Sequence, residues 1–192
     1  MKNVAIFASG SGTNAENIAR YFSKSETVKV AVVLSNNKKV GVHGRVNNLG
    51  IPSFVFSREE FVEGSPILAK LAEYQIDLIV LAGFMNKISD ALLKAYPGKI
   101  INIHPALLPK HGGKGMFGMH VHEAVVAEGD KESGITIHYI NENYDEGNII
   151  FQAKCEVLPT DTAEEVATKV HALEYAHYPH VIEDLLVLHS SF

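Results

Sequence analysis

The 192-residue sequence contains no tryptophan, a single cysteine, only 8% aromatic residues and no long apolar run. One cysteine cannot form an internal disulfide, which fits a reducing compartment. Apolar runs such as 78–82 fall far short of the roughly 18 residues that a membrane-crossing helix needs. The N-terminal apolar stretch 4–8 is too short for the core of a signal peptide and runs straight into Gly10-Ser11-Gly12. A cytoplasmic protein with no membrane partner is expected. Positive charge is also scarce. Against 17 Lys and Arg stand 22 Asp and Glu, a formal net charge of -5, so no global basic field gathers nucleic acid. The remaining bulk, 46% hydrophobic and 20% charged, excludes disordered and collagen-like chains and suits one domain with a sizeable core.

What is abundant is histidine, ten in all. The spacing His120-Val121-His122, with His111 and Cys155 as possible additions, suggests a metal. Yet residues two apart on a helix do not share a face, and neither a second cysteine nor an H-E-x-x-H pattern is present. No metal is expected. Cys155 sits in β-rich sequence with no activating neighbour and reads as a packing residue.

The first hundred residues alternate β-rich runs (4–8, 28–34, 54–56, 77–81, 99–103) with helical patterns (14–22, 42–49, 58–74, 89–95). That alternation marks βαβ units and a parallel sheet. A loop of 105–119 with Pro105, Pro109 and four glycines follows, long enough to be a lid or to line a site. After a helix at 121–127, β-rich runs at 134–140 and 148–157 flank a polar turn and read as a pair added to the parallel sheet. The chain ends in a helix opened by Asp161 or Thr162. Val166, Val170, Leu173, Val181, Leu185 and Leu188 form its core stripe, and Pro179 is expected to kink or divide it. The fold class is thus α/β: a Rossmann-like, mostly parallel central sheet with helices on both faces, antiparallel C-terminal strands and a long C-terminal helix.

Gly10-Ser11-Gly12-Thr13-Asn14-Ala15 ends the first strand and opens the first helix. Glycines there permit a sharp turn and close approach of a ligand, while free N–H groups and the helix dipole favour a phosphate. The same residues fit the dinucleotide pattern G-x-G-x-x-A. The second strand ends in Ser35-Asn36-Asn37-Lys38-Lys39, without the acid that binds NAD ribose, but with two lysines that suit the 2′-phosphate of NADP. At the end of the fifth strand, Asn102 and His104 project to one side, where ligands of open α/β sheets bind. An amide can stabilise an oxyanion and an imidazole can exchange protons, although the pair also suits caps of the following loop. Asp145, in the turn between the last strands, would raise the pKa of an imidazole it approached.

With Ser9-Gly10-Ser11-Gly12-Thr13-Asn14, Leu81-Ala82-Gly83-Phe84-Met85, Asn102-Ile103-His104-Pro105-Ala106-Leu107-Leu108-Pro109, Gly134-x-Thr136-x-His138, Asp145-x-Gly147 and Glu174 before Tyr178-Pro179, the chain closely resembles the phosphoribosylglycinamide formyltransferases. These are formyl-tetrahydrofolate enzymes of purine synthesis. The resemblance runs from Met1 to about Leu186. It implies a single formyltransferase domain over 1–192, with a βαβ phosphate-binding part at 1–103 and the catalytic loop, last strands and terminal helix at 104–192. The tRNA-formylating and formyl-hydrolysing relatives would carry a further domain.

The implied reaction moves the formyl group of 10-formyltetrahydrofolate, a co-substrate, to the primary amine of glycinamide ribonucleotide. By the resemblance, Gly12, Thr13 and Asn14 bind the nucleotide phosphate and Glu174 its amide or amine end. Arg58, Met85, Asn86, Lys87, Ile88, Asn102, Asn141, Glu142 and Asn143 flank the folate. Asn102 holds the formyl oxygen, and His104, with its pKa raised by Asp145, moves the proton. Asn86-Lys87 departs from the familiar arginine followed by an apolar residue. The loop 111–119 is longer and richer in glycine than usual, and no role passes to His111, His120 or His122.

Overall fold

Seven strands form one sheet in the computed structural model, which describes residues 1–143 and 145–187. The strands are β1 (Lys2–Phe7), β2 (Val28–Ser35), β3 (Ser53–Val55), β4 (Leu78–Leu81), β5 (Ile100–His104), β6 (Glu132–Tyr139) and β7 (Ile149–Glu156), in the spatial order β3-β2-β1-β4-β5-β6-β7. β1 to β5 pair in parallel, whereas β6 is antiparallel to both neighbours. The helices are α1 (Thr13–Tyr21), α2 (Val42–Asn47), α3 (Arg58–Glu63), α4 (Ser65–Glu73), α5 (Asp90–Ala95), α6 (Met119–Ala127) and α7 (Ala163–Val187).

Alternation along β1 builds two cores. Val4 and Ile6 face a cluster completed by α1, α2, α6 and α7, whereas Ala5 and Phe7 face Phe61, Ile67, Leu71 and Leu92 of α3 to α5. A strand covered on both sides has no polar face to show, which is why β4 reads Leu-Ile-Val-Leu. The expected fold class holds.

One local expectation needs correction. The single helix expected over 58–74 is α3 and α4, because Gly64 has φ +81° and caps α3 while Pro66 sits in the first turn of α4. A β-carbon on Gly64 would lie 2.6 Å from that of Ala91, so space as well as backbone conformation calls for glycine. Pro179 does not divide α7. Proline leaves the carbonyl four residues earlier without its helical donor. Here that carbonyl, of Tyr175, accepts a hydrogen bond from Asn17 Nδ2 at 3.1 Å, so the neighbouring helix supplies the missing donor. Thr162 rather than Asp161 opens α7: it exchanges reciprocal bonds with Glu165, whereas Asp161 accepts from Leu158 N and pairs with Lys169. Val166, Val170 and Val181 are buried with Leu173 and Leu185 packed beside them, and Leu188 lies outside the described residues.

Candidate active site

Beyond the carboxyl ends of β1, β4 and β5 lies a cleft of about 690 Å³, where an open parallel sheet offers its ligand crevice. One end is lined by Gly10 to Asn14, with His122, His171 and Glu174. Gly12 has φ +78°, and a β-carbon on it would come within 2.5 Å of the Val42 side chain. The turn therefore brings α2 against the start of α1, and the N-terminus of α1 opens to the cleft. Asn14 Nδ2 donates to Glu174 Oε2 at 2.8 Å, joining α1 to α7. Burial raises the Glu174 carboxyl above its ordinary pKa, opposed by His171 and by the Asn14 bond.

The other functional groups gather on β5 and β6. Asn102, His104 and Ile100 share one face, and the antiparallel register sets His138 beside Asn102 and Thr136 beside His104. Asn102 Nδ2 lies 3.2 Å from His138 Nε2. His138 Nδ1 lies 3.0 Å from the Tyr139 carbonyl, which can only accept, so Nε2 is left to accept from Asn102. This fixes the orientation of the Asn102 amide. Thr136 Oγ1 donates to Ala106 O and accepts from Leu108 N and Gln152, holding the start of the 105–119 loop against the sheet.

His104 is 4% exposed. Its Nε2 donates to the His111 carbonyl at 2.7 Å, and its Nδ1 lies 3.6 Å from Asp145 Oδ2. The same carboxylate oxygen accepts the Gly113 amide at 2.9 Å, and Oδ1 lies 3.6 Å from His138 Nε2. These hydrogen-bond and charge contacts hold the Asp145 pKa below its ordinary value, although burial, the largest single effect, pushes the other way. The turn thus delivers Asp145 to His104, a meeting across 41 residues of sequence that spacing alone does not announce.

The expected rise in the His104 pKa is corrected. Burial lowers it below the usual 6.5, and Asp145 with the His111 carbonyl offsets only part of that loss. At 3.6 Å the carboxylate attracts an imidazolium but makes no direct hydrogen bond, whereas desolvation acts on the whole ring.

Of the residues assigned to the folate, Met85, Asn86, Lys87, Ile88, Asn141 and Asn143 line the cleft. Arg58 and Glu142 do not: Arg58 starts α3 on the exposed surface, lining a separate shallow depression with Glu59, Val62 and Glu63. Lys38 and Lys39 are exposed and outside the cleft lining, so the NADP alternative loses its phosphate partners.

Sequence reasoning assigned no part to His122, His138 or His171. His122 is 2% exposed, its Nδ1 has no hydrogen-bond partner among the described residues, and its pKa is pushed down to about 4 by burial, then by His171 and His104. His171 precedes Glu174 by three residues, a helical spacing that could have flagged it. Exposed His120 pairs with Glu123, and burial raises the Cys155 thiol. Ligand-type atoms of His111, Glu128 and Asp130 lie within 4.8 Å of one another. Lys110 Nζ bonds to Asp130 and lies 3.1 Å from Glu128, so an ammonium already offsets one of the two carboxylate charges of that cluster.

Comparison with known proteins agrees with this architecture. Residues 2–182 match the family model described as formyl transferase. A chloroplastic phosphoribosylglycinamide formyltransferase of Vigna unguiculata is 39% identical over 96% of this chain, which spans only 61% of that relative's length. The phosphoribosylglycinamide formyltransferase of Bacillus subtilis is 38% identical over 99% of this chain and 97% of its own. The crystal structure of the Bacillus halodurans phosphoribosylglycinamide formyltransferase superposes with a TM-score of 0.87 at 38% identity, covering 97% of this chain and 96% of that one. With its match spanning nearly the whole sequence, the chain belongs to the formyl transferase family.

Proposed function

We propose that the protein transfers the formyl group of 10-formyltetrahydrofolate to the primary amine of glycinamide ribonucleotide, yielding the N-formyl nucleotide and tetrahydrofolate. The observation that carries this reading is the convergence of Asn102, His104 and Asp145 in the cleft that the glycine turn of α1 also lines. An anion at Gly12, Thr13 and Asn14 meets the amides and positive dipole end of α1. Glu174 offers acceptors to the amide or amine end of the nucleotide. The folate lies along Met85 to Ile88 and the 141–143 turn, with Arg58 and Glu142 left to groups that extend beyond the cleft. Binding both substrates side by side turns a bimolecular encounter into an oriented one.

In the first step the amine nitrogen forms a bond to the formyl carbon, and the carbonyl electron pair moves to oxygen. The Asn102 amide, held in orientation by His138, donates to that oxyanion. His104 Nδ1 accepts the proton lost by the attacking amine, and Asp145 stabilises the resulting imidazolium. The bond from the formyl carbon to N10 of the folate then breaks, and the imidazolium returns its proton to the leaving nitrogen. A histidine held below 6.5 is unprotonated at neutral pH and ready to act first as a base.

The test mixes the protein with 10-formyltetrahydrofolate and follows tetrahydrofolate release with and without glycinamide ribonucleotide. Release that requires the amine is expected. Release independent of it would mean hydrolysis, and no release in either case would contradict the proposal.

A further inference from the structure

The cluster His111, Asp130, Glu128 and Lys110 lies outside the cleft chemistry, yet it grips the segment on which that chemistry depends. His111 has φ +54°, a conformation that non-glycine residues keep only when their surroundings hold it. Its side chain is 6% exposed, and Nε2 lies 2.7 Å from Asp130 Oδ2. Asp130 is itself placed by the end of α6, where its amide bonds to the Val125 carbonyl. Lys110 and His111 hold its carboxyl below the usual range, so it remains an acceptor.

The segment anchored in this way touches both members of the proton-transfer pair. The His111 carbonyl accepts a hydrogen bond from His104 Nε2–H, and the Gly113 amide donates to Asp145 Oδ2. A carbonyl cannot donate. Its position therefore decides which nitrogen of His104 carries the hydrogen and which faces Asp145 with a free electron pair.

We propose that His111, clamped to Asp130, is a positioning residue that fixes the His104 tautomer with Nδ1 free beside Asp145. This rests on the proposed formyl transfer for its effect on turnover, but the tautomer itself can be read without substrate. An ion-pair cluster serving stability alone would alter the melting temperature and nothing at His104.

The experiment compares wild type with His111→Ala, Asp130→Ala and His111→Gln. The glutamine amide nitrogen stands close to the position of imidazole Nε2 and can still donate to Asp130. Nitrogen NMR of His104 in the ligand-free protein is expected to report the Nε2–H tautomer in wild type and His111→Gln. A mixture is expected in the two alanine variants, with Asp130→Ala leaving residue 111 itself untouched should His111→Ala unfold. Both alanine variants should lower kcat roughly 10- to 100-fold with KM nearly unchanged, and His111→Gln should recover most of it. An unchanged tautomer and kcat in Asp130→Ala would overturn the clamp, as would a fall in His111→Gln as deep as in His111→Ala. Inactive wild type would overturn the formyl-transfer reading, while the tautomer would still decide on the clamp.

Discussion

The two ends of the cleft are built in opposite ways. At the α1 end, a continuous run from Gly10 to Asn14 lines the cleft, its shape follows from one left-handed glycine packed on Val42, and a single side-chain bond, Asn14 to Glu174, ties it to α7. At the β5 end, Asn102, His104, His138 and Asp145 come from three separate stretches, and each depends on a partner for its orientation. Backbone binding sites are local and tolerate side-chain change. Side-chain chemistry is non-local and fails when one partner leaves. In the proposed reaction the first end holds the nucleotide, which sets KM, and the second moves protons, which sets kcat.

Substitutions at the two ends should separate these quantities. His104→Ala is expected to have the largest effect, lowering kcat by about 10²- to 10⁴-fold with the fold intact, as steady-state kinetics and a melting curve would show. Asn102→Ala should lower kcat by about 10²- to 10³-fold through loss of the oxyanion donor. An effect confined to KM in either variant would break the comparison. Gly12→Ala should act in the other sense, raising KM for the nucleotide. It should also destabilise the protein by about 1–3 kcal/mol, because its β-carbon meets Val42 and a positive φ is imposed on alanine.

The last effect is one of pH and concerns His122, between the two ends. Its folded pKa of about 4 lies below the ordinary 6.5, so the unfolded chain binds the extra proton between those values. Stability should fall as pH drops from about 6.5 to about 4, by at most about 3 kcal/mol from this residue. His104 contributes in the same direction. Chemical denaturation across that range should give a flatter profile for His122→Asn than for wild type.

The same contrast explains what could be read before the fold was known. Strand and helix alternation, the glycine turn and the shared face of Asn102 and His104 follow from periods of two and 3.6 residues and from local turn chemistry. Gly64-Ser65-Pro66 also carried the signal that splits α3 from α4. The pairing of His104 with Asp145 and of Asn102 with His138 depends on the antiparallel register of β5 and β6 and on where the following turn returns. The fall in the His104 pKa depends on burial by the whole domain, which overrides the pairwise attraction that residue identity suggests. Arg58, assigned to the folate by resemblance, stands on the exposed start of α3 outside the cleft lining, a placement that residue identity alone does not give.

The pH dependence of kcat/KM for formyl transfer, in wild type and Asp145→Asn, tests the proton-transfer account most directly, because it reports the free enzyme's ionisations. The account predicts an acid-side limb below 6.5 in wild type, set by burial of His104. The limb should move to still lower pH in Asp145→Asn, where the attraction that partly restores the imidazolium is gone. A wild-type limb at or above 6.5, or a limb that stays in place or rises on removal of the carboxylate, would contradict it.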